Sequence, residues 1–205
     1  MRLAILGASG HGKVVADAAL AAGWQHVVFF DDAWPISSAL GPWQVIGDTQ
    51  RLLSTAAEFD GVVVAIGNCR IRAEKHLILK LAGARAATII HPRAWVSPYA
   101  SIGAGSVVMA GAVVNVDARI GEVGIVNTGA TVDHDCWLDD AVHISPGVHL
   151  SGNVRVGATS WIGVGAAVRQ GIVIGSGVLV GAGAVVVKPI PDGATVIGNP
   201  AVPIK

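Results

Sequence analysis

Starting at Val96, an aliphatic residue recurs at every sixth position without a break: Val96, Ile102, Val108, Val114, Ile120, Val126, Val132, Leu138, Ile144, Leu150, Val156, Ile162, Val168, Ile174, Val180 and Val186. Neither an α-helix, with its 3.6-residue period, nor a flat strand, with its period of two, produces that spacing. A second set four residues further on, from Ala100 and Ser106 through Cys136 and Val142 to Ala184, is small or aliphatic. Two inward positions in every six are the signature of a parallel β-helix, three short sides to a coil. Each residue then lies under the one a full coil later, and the corners need the small residues that Gly and Ala supply.

Residues 1 to about 90 carry no such period and read as a separate α/β unit. Leu3–Leu6 is a short buried strand running into Gly7, Gly10 and Gly12, and Val14, Val15, Ala18, Ala19 and Ala22 fall at helical spacing. Val27–Phe30 and Val62–Ile66 are further strands, Asp48 caps a helix through Phe59, Arg70–Ala82 is a helix closed by Gly83, and Ala86–Ile90 is a last strand. Alternating strands and helices imply a parallel sheet. The proline-bearing stretch from Ala33 to Pro42 is a loop. The expected division is therefore an α/β, Rossmann-like domain at 1–90, followed after His91-Pro92 by a β-helix domain with a C-terminal cap at 91–205.

Fourteen Lys and Arg balance fourteen Asp and Glu, which leaves no electrostatic footprint for nucleic acid. The apolar start is broken by glycine too early for a signal peptide, and no run is long enough to span a bilayer, so a cytoplasmic protein is expected. Two cysteines are too few for a disulfide framework, and Cys136 falls at an inward position where a buried thiol suits the core. Aliphatic character with exposed-position Trp137 and Trp161 suggests a side hidden by self-association.

Two segments carry chemistry. Gly7-Ala-Ser-Gly10-His11-Gly12-Lys13 lies between a strand and a helix, where glycines allow close backbone approach and free N–H groups face a phosphate. The spacing is not G-x-G-x-x-G, and a tight structural turn fits the same glycines. Asp31 and Asp32, ending the second strand, are placed to accept hydrogen bonds from a ribose or base, or to be solvated turn acids.

In the second segment, Asn127 to Trp137, His134 holds an outward position beside Asp135, which can hold one imidazole nitrogen and raise the basicity of the other. His143 follows nine residues on, half a coil away, so the two histidines meet only across an interface between copies. Gly152, one full coil from His134, stacks on it and offers an N–H to a developing oxyanion.

GASGHGK at 7–13, FFDD at 29–32, AIGN at 65–68, NTGATVDHDC at 127–136 and IGNPA at 197–201 together resemble the bacterial sugar acyltransferases of the PglD/NeuD type, over nearly the whole chain. The resemblance implies a Rossmann-like domain holding a nucleotide-activated amino sugar, and a left-handed β-helix that trimerises and binds acetyl-CoA at subunit interfaces. By that resemblance His134 is the general base and Asp135 its orienting acid. Gly10, His11, Gly12, Asp31, Asp32, Gly67, Asn68 and Asn127 contact the sugar nucleotide, with His11 and the glycine loop at its phosphates. On the coenzyme side fall His143, at the thioester carbonyl, with Gly152, Gly181, Ala182, Lys188, Ile197 and Pro200; Arg169 is a second cation for its phosphates. The implied reaction is direct N-acetylation of a 4-amino-dideoxysugar with no metal. Rival readings are an O-acetyltransferase using the same base, a zinc enzyme resembling γ-carbonic anhydrase and using His143 and His149, and a non-catalytic trimeric binding protein.

Overall fold

The computed structural model describes residues 1–204. Strand β1 (Arg2–Leu6) lies at the centre of a three-stranded parallel sheet between β2 (His26–Phe30) and Gly61–Val64. Its four apolar residues are buried on both faces, as parallel strands require. Helix α1 (Gly10–Ala21) follows β1 directly and packs Val15, Ala16 and Ala19 into the core that Leu3, Ile5 and Phe29 share. Helix α2 (Thr49–Thr55) starts at Asp48, whose carboxylate accepts from Arg51 N, and helix α3 (Cys69–Leu81) starts at Asn68, whose side chain accepts from Arg70 N and Ile71 N. The expected 33–42 loop contains one short antiparallel rung, Ala39–Leu40 against Trp43–Gln44.

From Trp95 onward the chain is a left-handed prism of two-residue strands stacked in parallel at eighteen-residue register, for example Val113↔Thr131 and Thr131↔His149. Its second face carries six strands, Trp95–Val96 to Val185–Val186. The third carries Ser101–Ile102 to Val173–Ile174, with Trp137–Leu138 midway. Both inward sets of the hexad are buried in one continuous core. Every sixth residue stands at a corner with φ > 0; most are glycine, but Asp117, Val123, Asp135, Ala141, Asn153 and Thr159 also take it, Asp135 at φ 59. Asp and Asn tolerate that region better than bulkier residues do.

Ile89–Ile90, expected as the last strand of the α/β sheet, instead pairs with Val107–Val108 and forms the first rung of the prism's first face. Only an isolated bridge, Val62↔Ala86, ties that segment to the sheet. The outward residues of the first face then run Ile89, Val107, Ile125, His143, Trp161, Leu179 in strict register. Ile89, Val107 and Ile125 are buried beneath α1 and the sheet in a shared core, whereas Trp161 and Leu179 are exposed. His143 therefore sits where the α/β unit stops covering the prism.

Arg72 bolts the two units together. It is fully buried without a carboxylate partner, and donates from Nε to Val123 O, from Nη2 to Ala141 O, and from Nη1 to Ile66 O and Gly67 O. Val123 and Ala141 are corner residues with φ > 0, so the guanidinium reads the prism's corner carbonyls while holding the loop before α3. No helix among the described residues is long and apolar enough to cross a membrane.

Candidate functional site

The glycine loop is held by its neighbours rather than left open. Gly7 takes φ 114, and a Cβ there would lie 2.8 Å from Ala65 O. A Cβ on Gly12 would overlap the Gly7 carbonyl, whereas Gly10 faces open space. Asp31 closes the loop, accepting from Ala8 N at 2.7 Å and Ala33 N at 2.9 Å. Asp32 accepts from Thr49 N and pairs with Lys75 at 2.6 Å; against the upward pull of partial burial, Lys75 and Thr49 hold its carboxyl at about 2. The side chain of Asn68 is spent on capping α3. Asp31, Asp32 and Asn68 are thus all occupied structurally, each carboxylate oxygen of the two acids already accepting a hydrogen bond.

His11 is half-buried. Burial, with the Arg72 charge nearby, pushes its pKa down to about 4, so it is a neutral imidazole at physiological pH and brings no charge to a phosphate. A phosphate at this loop would find backbone N–H groups and the α1 N-terminus beside that neutral ring. Its ring faces His143 at 6.3 Å between centroids, and Nε2 of each ring is buried with no partner.

His143 is 6% exposed, its ring stacked on Trp161 at 4.7 Å and 18°. Burial, then Arg72 and His11, push its pKa down to about 3. Nδ1 faces Gly67 O at 3.4 Å. Trp161 is fixed in turn by donating from Nε1 to Ser145 Oγ at 2.7 Å. The two rings open a trough of about 560 Å³ that runs along the first face past Asn127, Gly163, Gly181, Ala182, Ile197 and Ile204. Its floor is largely apolar, which suits an extended, mostly uncharged chain. Lys188 and Pro200, expected beside Gly181, line a different cavity of about 250 Å³ behind the C-terminal segment.

His134 lies at the corner between the second and third faces, diagonally across the prism from the first face that carries His143. Its Nδ1 meets Asp135 Oδ2 at 2.7 Å, both side chains more than half exposed, and that bond raises the imidazole pKa. Because Asp135 occupies the left-handed corner position, its carboxylate turns back onto the preceding ring. Asp133 fixes the turn, accepting from His134 N and from Asn115 Nδ2. The imidazole lies over Gly152, where a Cβ would come within 2.5 Å of Cε1 and Nε2. The Gly152 N–H forms no backbone hydrogen bond among the described residues.

Sequence reasoning missed Arg72, Ser145 and the His143–Trp161 stack. The register gave a signal for the last, since Trp161 follows His143 by one coil on an outward position. Nothing in the sequence marked Arg72, whose partners are all backbone carbonyls. His143 and His149 lie on different faces, and no group of three His, Cys, Asp or Glu able to hold a metal forms among the described residues.

A left-handed β-helix with an α/β nucleotide-type domain on one face, a histidine–aspartate pair at a corner and an apolar trough is the framework of a hexapeptide acyltransferase. Residues 2–77 match the model of the PglD N-terminal domain. The acetyltransferase domain of PglB from Neisseria gonorrhoeae FA1090, in complex with acetyl coenzyme A, is 52% identical, with 99% of this chain and 98% of that one covered at a TM-score of 0.95. PerB from Caulobacter crescentus, in complex with CoA and GDP-perosamine, is 38% identical over 100% and 98% at 0.95. WeeI from Acinetobacter baumannii AYE is 28% identical over 100% of both chains at 0.91. The chain belongs to the PglD/NeuD-type family of bacterial sugar acyltransferases. It is an acyltransferase.

Proposed function

We propose that this chain transfers the acetyl group of acetyl-CoA to the 4-amino group of a nucleotide-linked amino-dideoxysugar, with His134 as general base. The sugar nucleotide lies on the glycine loop with Asp31 and Asp32 near its ribose or base, and acetyl-CoA lies along the trough. The amine attacks the thioester carbonyl directly, His134 Nε2 takes its proton, the Gly152 N–H faces the developing oxyanion, and coenzyme A leaves as the thiol. The base contributes about 10²- to 10⁴-fold; positioning of the two substrates supplies much of the remainder.

The observation that carries this reading is the placement of His134 across the prism from His143. One chain cannot bring the Asp135-polarised base to the trough, so a homotrimer with His134 of one copy facing the trough of the next completes the site. The relatives bound to acetyl coenzyme A, or to CoA and GDP-perosamine, support the choice of co-substrates. The test is acetyl-CoA turnover with UDP- and GDP-linked 4-amino-4,6-dideoxysugars, preceded by a thermal-shift screen, where ligand at 100 times its Kd stabilises by about 2.7 kcal/mol. Absence of turnover with every amine would overturn the reading.

A further inference from the structure

We propose that Asp133, anchored by Asn115 one coil away, is a positioning residue for the base: it pins the backbone on which His134 stands and sets a second negative charge beside the imidazolium that proton removal creates. The inference rests on the acyl-transfer reading above and adds to it the residues that hold and tune the base.

Asn115 and Asp133 occupy equivalent places, each the first residue after a second-face strand, in the register Val113↔Thr131 and Val114↔Val132. Both are half-buried. A single carboxylate oxygen, Asp133 Oδ1, accepts from Asn115 Nδ2 at 2.8 Å and from the backbone N–H of His134 at 2.9 Å. The bond from His134 fixes the peptide from which the imidazole projects, and the bond from Asn115 ties that peptide to the preceding coil. Asp133 N in turn donates to Leu150 O on the following coil. No cation pairs with Asp133 among the described residues.

Two accepted hydrogen bonds do not by themselves require an acid. An amide oxygen could take both donors in the same place. What the carboxylate adds is charge, and His134 is the neighbour that gains charge in the reaction. When Nε2 takes the amine's proton as the N–C bond forms, the ring becomes a cation, and it stays one until it protonates the thiolate released by C–S cleavage. Asp135 at Nδ1 does most to favour that cation, and the charge of Asp133 acts in the same direction. The rest of the corner brings no cation to the ring. The following coil presents Gly152 and Asn153, and the preceding coil presents Val116 and Asp117, the latter in register with Asp135. Acids on both sides of the histidine thus favour its charged form, and the one before it also anchors the main chain.

Two substitutions separate charge from position. Asp133→Asn keeps an oxygen for the His134 N–H and removes the charge; Asn115→Ala keeps the charge and removes the anchor. Proton NMR of the free protein reads the His134 titration, and steady-state kinetics with acetyl-CoA and 4-amino-4,6-dideoxysugar nucleotides reads kcat and KM against pH. Asp133→Asn is expected to move the titration, and the acid limb of kcat/KM with it, to lower pH, because the protonated ring loses a favourable charge. That displacement should be smaller than the one Asp135→Asn causes, and plateau kcat should fall about 3- to 10-fold, a fraction of the 10²- to 10⁴-fold a general base supplies. Asn115→Ala is expected to lower kcat about 10-fold through misplacement of the ring, with the titration unmoved and both KM values within a factor of about two. A His134 titration unmoved by Asp133→Asn would overturn the inference and reduce the acid to a hydrogen bond that closes the turn. Unchanged kcat in Asn115→Ala, or a loss confined to KM, would overturn it as well. Wild type inactive on every amine would sink the acyl-transfer reading, whereas the titration, read without turnover, still decides whether Asp133 sets the charge of His134.

Discussion

The imidazole of His134 rests on Gly152 one coil below, so closely that a single methyl group on that glycine would come within 2.5 Å of two ring atoms. The imidazole is thus positioned from two directions, by Asp135 at its Nδ1 and by bare backbone beneath its face.

Gly152→Ala should therefore act on catalysis more than on folding. Gly152 does not need a positive φ, so alanine strains no backbone there, and the added methyl displaces the exposed ring instead. We expect kcat to fall about 10-fold or more, as misplacement of a catalytic group by about 1 Å can cost 10²-fold. Steady-state kinetics with a melting curve checks this; unchanged kcat would show that the ring is not held where it must act.

Asp135→Asn should shift the acid limb of the pH–kcat/KM profile to lower pH. Donation from His134 Nδ1 to the Asp135 carboxylate raises the His134 pKa, so in wild type the proposed base is protonated, and inactive, up to a higher pH than an ordinary histidine. An amide removes the charge that stabilises the imidazolium, so the base frees its lone pair at lower pH but becomes weaker. The plateau rate should drop less than in His134→Ala, for which a loss of about 10²-fold or more in kcat is expected. An acid limb moving upward would contradict the pairing.

Arg72→Met should destabilise the protein by about 2–4 kcal/mol, because it leaves buried carbonyls at Val123 and Ala141 without donors. Urea unfolding followed by tryptophan fluorescence measures it. The substitution also removes the cation that helps keep His11 and His143 neutral and the donor that fixes Gly67 O, so activity should suffer even at temperatures where the variant is folded.

Ile197→Asp should raise the KM for acetyl-CoA about 10-fold or more with little change for the sugar nucleotide, since Ile197 forms part of the apolar trough wall, packed over Gly181. Lys188→Ala, in a separate cavity, should have the smaller effect. The reverse order would move the coenzyme out of the trough.

The prism was readable because its signal is redundant: sixteen repeats of one aliphatic position leave a single periodic solution, and the same arithmetic stacked Gly152 on His134. Ile90, six residues before Val96, already obeyed the period, yet the helix–strand alternation before it pulled the segment toward the sheet. The pair His134–Asp135 was visible because neighbours in sequence are neighbours in space. Contacts between the two units were not, since they join residues far apart through groups with no sequence mark: Arg72 to carbonyls, Cys69 Sγ to Ser160 O, and His11 to His143. Burial, which makes both of those histidines neutral, is likewise a property of the assembled surfaces and not of either segment alone.

The most direct test of the shared site mixes two inactive proteins. His134→Ala and His143→Ala subunits, denatured together in equal amounts and refolded, should recover activity, because random assembly of a closed ring gives about one quarter of the interfaces both native histidines. Each variant refolded alone should stay at its own low level. A mixture no more active than the mean of its two components would contradict the account and place the reacting groups within a single chain.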